Sequence, residues 1–460
     1  MTDPTQKTEN AGGSVRFNAG LGEFTLISIT AYDNWQYDNT QDVDLSNVDA
    51  LGAFTGGAFH GGFKSTSDVE TDFYSQEFRL LSPSYDRYDY LLGLYFADAK
   101  TDRTFLRNVG LPILPADWDA TAETESLAAF GQLSWHFSPD TTLIAGLRWN
   151  EEKVSIDYVN NLASSDGRAK NSDTDSDVLG NLSLQHNLHE DLMVYARYAT
   201  GYKGQAFNVV TGFDQEDADN PVSPETSDSY ELGLKSTLWD QRLQLNATAF
   251  YTEYNDFQAQ NTVITEDGTF VNKLRNVGEV ETRGVELEGV ALLGESLTLT
   301  FGAAYVDAEI KSFEGAPCYP GQTEATGCLN GTQNLNGDPL PNAPKWKYNL
   351  LGDYRLELGS MPFYGFINVG YVWQDKVNFT LTQNPLTVQD SNGVANASIG
   401  INEKASDLYR VSLFVNNLTD ESYTVGMQDA RELFGNKTAL VQILPRSSQR
   451  YCGVRVKYSF

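Results

Sequence analysis

Apolar and polar side chains alternate along most of this chain in segments separated by turn-forming stretches. The closing segment, YCGVRVKYSF, puts Cys452, Val454, Val456, Tyr458 and Phe460 on one face and Tyr451, Gly453, Arg455, Lys457 and Ser459 on the other. A period of two marks a strand, because successive side chains leave a pleated backbone on opposite sides. RLQLNATAFYTEY repeats it with Leu243, Leu245, Ala247, Ala249 and Tyr251, and SLTLTFGAAY with Leu297, Leu299, Phe301, Ala303 and Tyr305. TTLIAGLRWN does so with Leu143, Ala145, Leu147 and Trp149. About 17 such segments occur, each with about the length of a membrane-crossing strand. No stretch of comparable length has helical periodicity.

The connections sort into two kinds. Tight turns lie near Gly20, Pro83, Pro139, His189, Trp239, Gly294, Gly359 and Lys404. Between them run long polar connections, 38–71, 100–123, 153–177, 204–226, 256–279, 311–344, 375–394 and 419–449. One rim of the sheet is therefore short and the other long. That asymmetry predicts an all-β fold, an antiparallel up-and-down transmembrane β-barrel with short periplasmic turns and long outer loops. A propeller would repeat its blade sequence, and a sandwich would not gather every long loop at one end.

Composition first looks contrary. Mean hydropathy is -0.38 and net charge is -30. Strands that are apolar on one face only, joined by acidic loops in water, average to such values. The 62 acidic against 32 basic side chains leave no basic stripe for nucleic acid. Trp149, Tyr251, Tyr305, Trp373, Tyr458 and Phe460 fall at strand ends, where aromatic girdles meet the membrane interfaces. No apolar run is long enough for a spanning helix. The opening MTDPTQKTENAGG has neither the basic nor the apolar region of an export signal.

The order and spacing of several stretches resemble the barrel region of a TonB-dependent outer-membrane receptor over nearly all 460 residues. They are ITAYDNWQYDNTQDVD from Ile29, SQEFRLLSP from Ser75, YLLGLYF from Tyr90, SYELGLKS from Ser229, TRGVELEG from Thr282, NAPKWKYNL from Asn342, FVNNLTDESY from Phe414, and the terminal GVRVKYSF. The resemblance implies a receptor for TonB-energised uptake of a scarce solute, with a ferric siderophore the leading class. Carbohydrate, cobalamin and aromatic compounds, or a passive porin-like channel, are the alternatives. It implies residues 1–460 as the C-terminal part of a barrel, about 17 of about 22 strands, without the plug domain and truncated at the N-terminus. Expected partners are outer-membrane lipid, the barrel-assembly machinery, TonB through the missing plug, and a small-molecule ligand. Tyr458 and Phe460 resemble the terminal signal that such proteins present for assembly.

Candidate chemistry is sparse. No catalytic constellation, cofactor motif or metal set stands out, so the expectation is not an enzyme. His186 and His189 flank a turn without companions, His60 and His136 stand alone, and Asp173, Asp175 and Asp177 lack the Gly and Glu of a calcium loop. Cys318 and Cys328 share one long loop in an oxidising compartment, which favours a disulfide. Cys452 falls on the apolar face. Outer-loop aromatics are the candidate ligand contacts: Trp35, Tyr37, Phe54, Phe59, Trp118, Phe207, Trp373 and Phe379. Inward arginines, such as Arg148, Arg197, Arg410 and Arg455, are expected to meet lumen carboxylates or a plug.

Overall fold

The computed structural model describes residues 4–42, 49, 52, 56–62, 64–107, 115–163, 167–264, 270–405, 408–429, 431 and 439–459, and no side chains for 261–272. Phe54 and Phe460 lie outside the described residues. Among the described residues, seventeen strands form one large antiparallel sheet. They are β1 (Thr5–Leu21), β2 (Phe24–Asp42), β3 (Lys64–Leu81), β4 (Tyr88–Arg107), β5 (Ala116–Ser138), β6 (Thr141–Asn160), β7 (Arg168–His189), β8 (Leu192–Lys203) and β9 (Glu225–Leu238). There follow β10 (Leu243–Asn255), β11 (Val280–Leu293), β12 (Leu297–Ile310), β13 (Trp346–Glu357), β14 (Phe363–Gln374), β15 (Asn392–Glu403), β16 (Tyr409–Asn416) and β17 (Tyr451–Tyr458). Among the described residues no helix is long and apolar enough to cross a membrane, which says nothing about strands.

Several stretches expected as loops are strand. Residues 100–107 and 116–123 pair with each other as the ends of β4 and β5, and 153–160 and 168–177 belong to β6 and β7. β5 is 23 residues long, about twice what a bilayer needs. Beyond the apolar band the backbone keeps its ladder, but the apolar positions of β5 and β6 move to the opposite face, where Trp118, Ala120, Val154, Ile156 and Tyr158 are buried. The alternation of the membrane-crossing part therefore does not continue in phase.

The chain makes two compact units. The first comprises Met1–Ser183, Ala199–Asp228 and Tyr254–Gly278, and the second Leu184–Tyr198, Ser229–Glu253 and Glu279–Phe460. In the first, β1 to β6 pair in sequence order. Cross-strand register sets the side chains in rows. One face reads Leu80–Leu92–Gly131–Leu147, then Phe78–Leu94–Ala129–Trp149, then Gln76–Phe96–Leu127–Glu151. Leu92, Leu94 and Leu147 on it are 52%, 59% and 67% exposed. A contiguous face of exposed leucines is stable only against an apolar solvent, which identifies it as the lipid side.

The second unit repeats the arrangement through β11 to β17, again in sequence order. Its apolar face carries Ile399–Leu413–Val454 and Ile401–Val411–Val456, ending on Tyr409 opposite Tyr458. Cys452 is an exposed free thiol of that face. At the other end of the strands Tyr305, Trp346, Tyr348 and Trp373 form a ladder of rings with centroids 4.8, 5.8 and 5.2 Å apart.

Opposite the apolar face, the polar face is lined with small, hydroxylic and charged groups. Three of its arginines lie on rings: Arg148 over Tyr95 and Phe130, Arg410 over Phe366 at 3.9 Å, and Arg455 over Phe414. Glycine makes room for the rings. A Cβ at Gly93 would collide with the Phe130 ring, its direct cross-strand partner.

Candidate functional site

On the polar face of the first unit, Trp35 and Tyr37 project side by side from β2 and stack at 5.5 Å with an interplanar angle of 9°. They present a flat aromatic surface among the polar side chains at the loop end of the strand. Phe59 is 39% exposed in the connection between β2 and β3. There Asp49 accepts backbone N–H bonds from Gly52 and Gly61 and meets His60 Nδ1 at 2.5 Å. These contacts, His60 foremost, hold the Asp49 carboxyl down at about 2. His60 is therefore not isolated, and His136 also has a carboxylate partner, Asp89 at 3.0 Å.

Trp118 corrects an expectation. It is 2% exposed and offers no open plane to a ligand. Phe105 stacks on it at 5.2 Å, Tyr158 lies at 5.5 Å, and the Arg103 guanidinium sits 4.9 Å from its ring. Phe213 closes the far side of Tyr158, and Phe207 packs against the same cluster. Both phenylalanines come from the connection 204–224, which folds back over the polar face of β5 and β6.

Specific hydrogen bonds fasten this insert. Trp118 Nε1 donates to Thr211 Oγ1 at 3.2 Å, Asn171 Nδ2 to the Ala218 carbonyl at 2.8 Å, and Gln258 Nε2 to the carbonyls of Gly204 and Ser223. A five-residue helix, α1 (Gln215–Asp219), is capped by Asp214 and completes it. Phe207 therefore stands at the margin of a fixed shelf.

Trp373 is a second correction. It shares strand parity with Ile367, Val369 and Tyr371, and pairs with Gly393 on one side and Tyr348 on the other. It thus belongs to the aromatic ladder of the apolar face, not to the ligand side. Phe379 does face a cleft. A cavity of about 450 Å³ is lined by Lys347, Val372, Gln374, Phe379, Asn392, Asn396, Tyr423 and Thr424, among others. Lys347, Gln374 and Asn392 form one row across β13, β14 and β15 on the polar face. No lining residue described there is acidic. In a chain of net charge -30 this is a local exception: an exposed ammonium, amide donors and two aromatic rings without a competing carboxylate.

Only Phe379 of this cleft stood out in the sequence. Lys347 was readable by parity, since it alternates with Trp346 and Tyr348 in a strand whose even positions are apolar. Tyr423 and Thr424 come from a connection with no periodicity. In the neighbouring connection Cys318 and Cys328 are joined by a disulfide with Cα atoms 5.8 Å apart. By contrast, a cavity of about 650 Å³ among the upper strands of the first unit is lined by Asp38, Asp68, Glu70, Asp102, Asp119 and Asp157 against Arg103 and Arg168. Its surplus of carboxylates disfavours an anion there.

Comparison with known proteins adds four findings. The family described as TonB dependent receptor-like, beta-barrel, matches residues 2–418. The pesticin receptor of Yersinia enterocolitica is 32% identical over 203 residues, 44% of this chain and 28% of that protein. The probable TonB-dependent siderophore receptor PiuA of Acinetobacter baumannii is 27% identical over 311 residues, 67% of this chain and 38% of that one. Among solved structures, the ferric yersiniabactin uptake receptor FyuA of Yersinia pestis superposes over 100% of this chain and 62% of its own, with a TM-score of 0.77 at 20% identity. That likeness is one of fold. The chain spans about a third of the length of these sequence relatives.

Proposed function

The chain belongs to the TonB-dependent receptor β-barrel family of Gram-negative outer membranes, and from that premise we propose that it is the barrel part of a receptor for ferric siderophores. The family is one of transport receptors rather than enzymes. Uptake draws its energy from TonB, acting through a plug segment that belongs to the complete receptor. Lipid surrounds the apolar face, and the barrel-assembly machinery inserts the chain, with Tyr458 and Phe460 as its recognition end.

The observation that carries the ligand class is the acid-free cleft. A ferric chelate presents anionic oxygens around the metal and flat organic arms beyond it. Lys347 meets the charge, Gln374, Asn392 and Asn396 donate to oxygens, and Phe379 and Tyr423 cover the arms. Trp35 and Tyr37, with Phe59 and the edge of Phe207, supply further aromatic surface on the ligand path.

Quenching of intrinsic fluorescence by ferric catecholate, hydroxamate and phenolate chelates tests this reading in the complete receptor. One class should bind, and Lys347→Glu should weaken it at least about tenfold, the effect of exchanging an attraction for a repulsion at short range. Binding of a neutral oligosaccharide with no response to any ferric chelate would overturn it.

A further inference from the structure

We propose that Asp429 and Arg431 set the specificity of the acid-free cleft although neither lines it: Asp429 pins two of its walls together, and Arg431 cancels the charge that the pin brings. The proposal rests on the reading of that cleft as the ligand site.

One wall is the segment 377–389. Phe379 is held in it by its own amide, which donates to the Thr387 carbonyl at 3.0 Å. Thr387 is wholly buried and Asn384 is 1% exposed. Thr387 Oγ1 donates to Asn378 Oδ1 at 2.9 Å, and Leu386 N donates to Asn384 Oδ1 at 2.9 Å. Short side chains thus tie the segment into a knot, and the Asn384 amide nitrogen bonds outward from it.

The other wall, Tyr423 to Val425, hangs on a hairpin in which Gly426–Asp429 pairs with Leu440–Ile443. Thr424 Oγ1 and Val425 N both donate to the Ile443 carbonyl, at 2.8 and 2.9 Å. At the far end of the same hairpin, Asp429 Oδ2 accepts from Asn384 Nδ2 at 2.9 Å. Thr424 N donates to Gln389 Oε1 at 3.0 Å and fastens the walls at a second point. The Phe379 and Tyr423 rings are therefore held apart at a set spacing before a ligand arrives, which spares the ligand the cost of ordering them.

A carboxylate beside an anion site works against it. The Asp429 side chain is 2% exposed, and a charge so placed is costly unless it is paired and fully bonded. Arg431 does both. Its Nε and Nη2 donate to Asp429 Oδ2 at 2.9 and 2.8 Å, and its backbone N donates to Oδ1 at 3.1 Å. The guanidinium occupies space left by Gly321 of the disulfide-bearing connection, where a Cβ would collide with it. The pin thus enters the cleft wall as a neutral pair. Asp420 and Arg450, 3.4 Å apart and both more than half exposed, form an ion pair between the ends of the same connection and supply the control.

Quenching titrations of the complete receptor in detergent test the pair, with the iron(III) complexes of catechol and salicylate as anionic probes and that of acetohydroxamate as a neutral one. Arg431→Gln uncovers the Asp429 charge and should weaken an anionic probe about tenfold, a loss that raising salt from about 0.1 to about 0.5 M should largely recover. Asp429→Asn with Arg431→Gln keeps an acceptor for Asn384 without either charge, and should bind within about threefold of the unaltered receptor. Asp429→Ala with Arg431→Gln removes the pin as well, and should weaken anionic and neutral probes alike by at least about tenfold. Asp420→Asn with Arg450→Gln should change nothing. An asparagine–glutamine variant as weak as Arg431→Gln alone, a loss that salt does not recover, or full binding by the alanine variant would overturn the proposal and leave the cleft in place. Binding of the neutral probe alone would do the same. Failure of all three probes to bind the unaltered receptor, or binding that ignores Lys347→Glu, would overturn the cleft itself and this proposal with it.

Discussion

Trp118 and Trp373 both stand near the loop ends of long strands, and both are aromatic planes that a ligand at the rim could use. Register separates them. Trp118 projects from the polar face and is covered by an insert that begins 86 residues later in the chain, at 204, and reaches it with Phe213 and Thr211. Trp373 projects from the apolar face and is covered by nothing but its neighbours in the ladder. The same side chain is thus a keystone in one place and an interfacial anchor in the other. What covers a residue decides its energetic weight, more than its type or its position along a strand.

The largest test of this comparison is truncation of each ring. Trp118→Ala empties the centre of a stack that includes Phe105, Tyr158 and Phe213, and should cost about 3–5 kcal/mol, the usual range for a buried aromatic. Hydrogen exchange should rise throughout 204–224, because the insert loses both its packing and the bond to Thr211. Trp373→Ala should leave stability in detergent within about 1 kcal/mol. Equal losses for the two variants would mean that coverage does not set the difference.

Parity along a strand was legible from residues alone, and Trp373 is the case where reading it further would have sufficed. Ile367, Val369, Tyr371 and Trp373 alternate with Asn368, Gly370, Val372 and Gln374, so the apolar set already included the tryptophan. Coverage was not legible. Thr211 and Trp118 are 93 residues apart, and no local pattern announces a loop that folds inward. The upper parts of β4 to β7 were hidden for a different reason. Above the membrane the apolar positions change parity, from Leu127 and Ala129 to Trp118 and Ala120 in β5 and from Leu147 and Trp149 to Ile156 and Tyr158 in β6. β7 is polar on both parities at 170–177, so no single phase follows these strands to their ends. The acid-free cleft sits between these cases, with Lys347 readable by parity and Tyr423 not.

A connection that buries few apolar residues, such as Ala316 and Leu335, gains from a covalent tie. The segment 311–345 includes the Cys318–Cys328 bridge, which closes a loop of 10 residues' separation. Reduction should cost about 2–3 kcal/mol of local order on the chain-entropy account. Protease cleavage should then appear between Tyr319 and Gly327 while the 204–224 insert stays protected. Cleavage of both connections on reduction would show that the two are coupled.

The smallest effect belongs to a contact that is wholly uncovered. Asp49 is bonded by His60 and the amides of Gly52 and Gly61 in open solvent, and its carboxyl is held down at about 2. A depressed carboxylate contributes its stabilisation fully above its unfolded value, near 3.9, and loses it as pH falls through the folded one. Carbon-13 titration of the Asp49 carboxyl should therefore centre near pH 2, while the Trp118 cluster, which contains no carboxylate, stays folded across the same window. A midpoint near 4 would dissolve the contact as a determinant of loop shape. A midpoint near 2 accompanied by loss of the 204–224 protection would instead show that the uncovered end of the molecule governs the covered one.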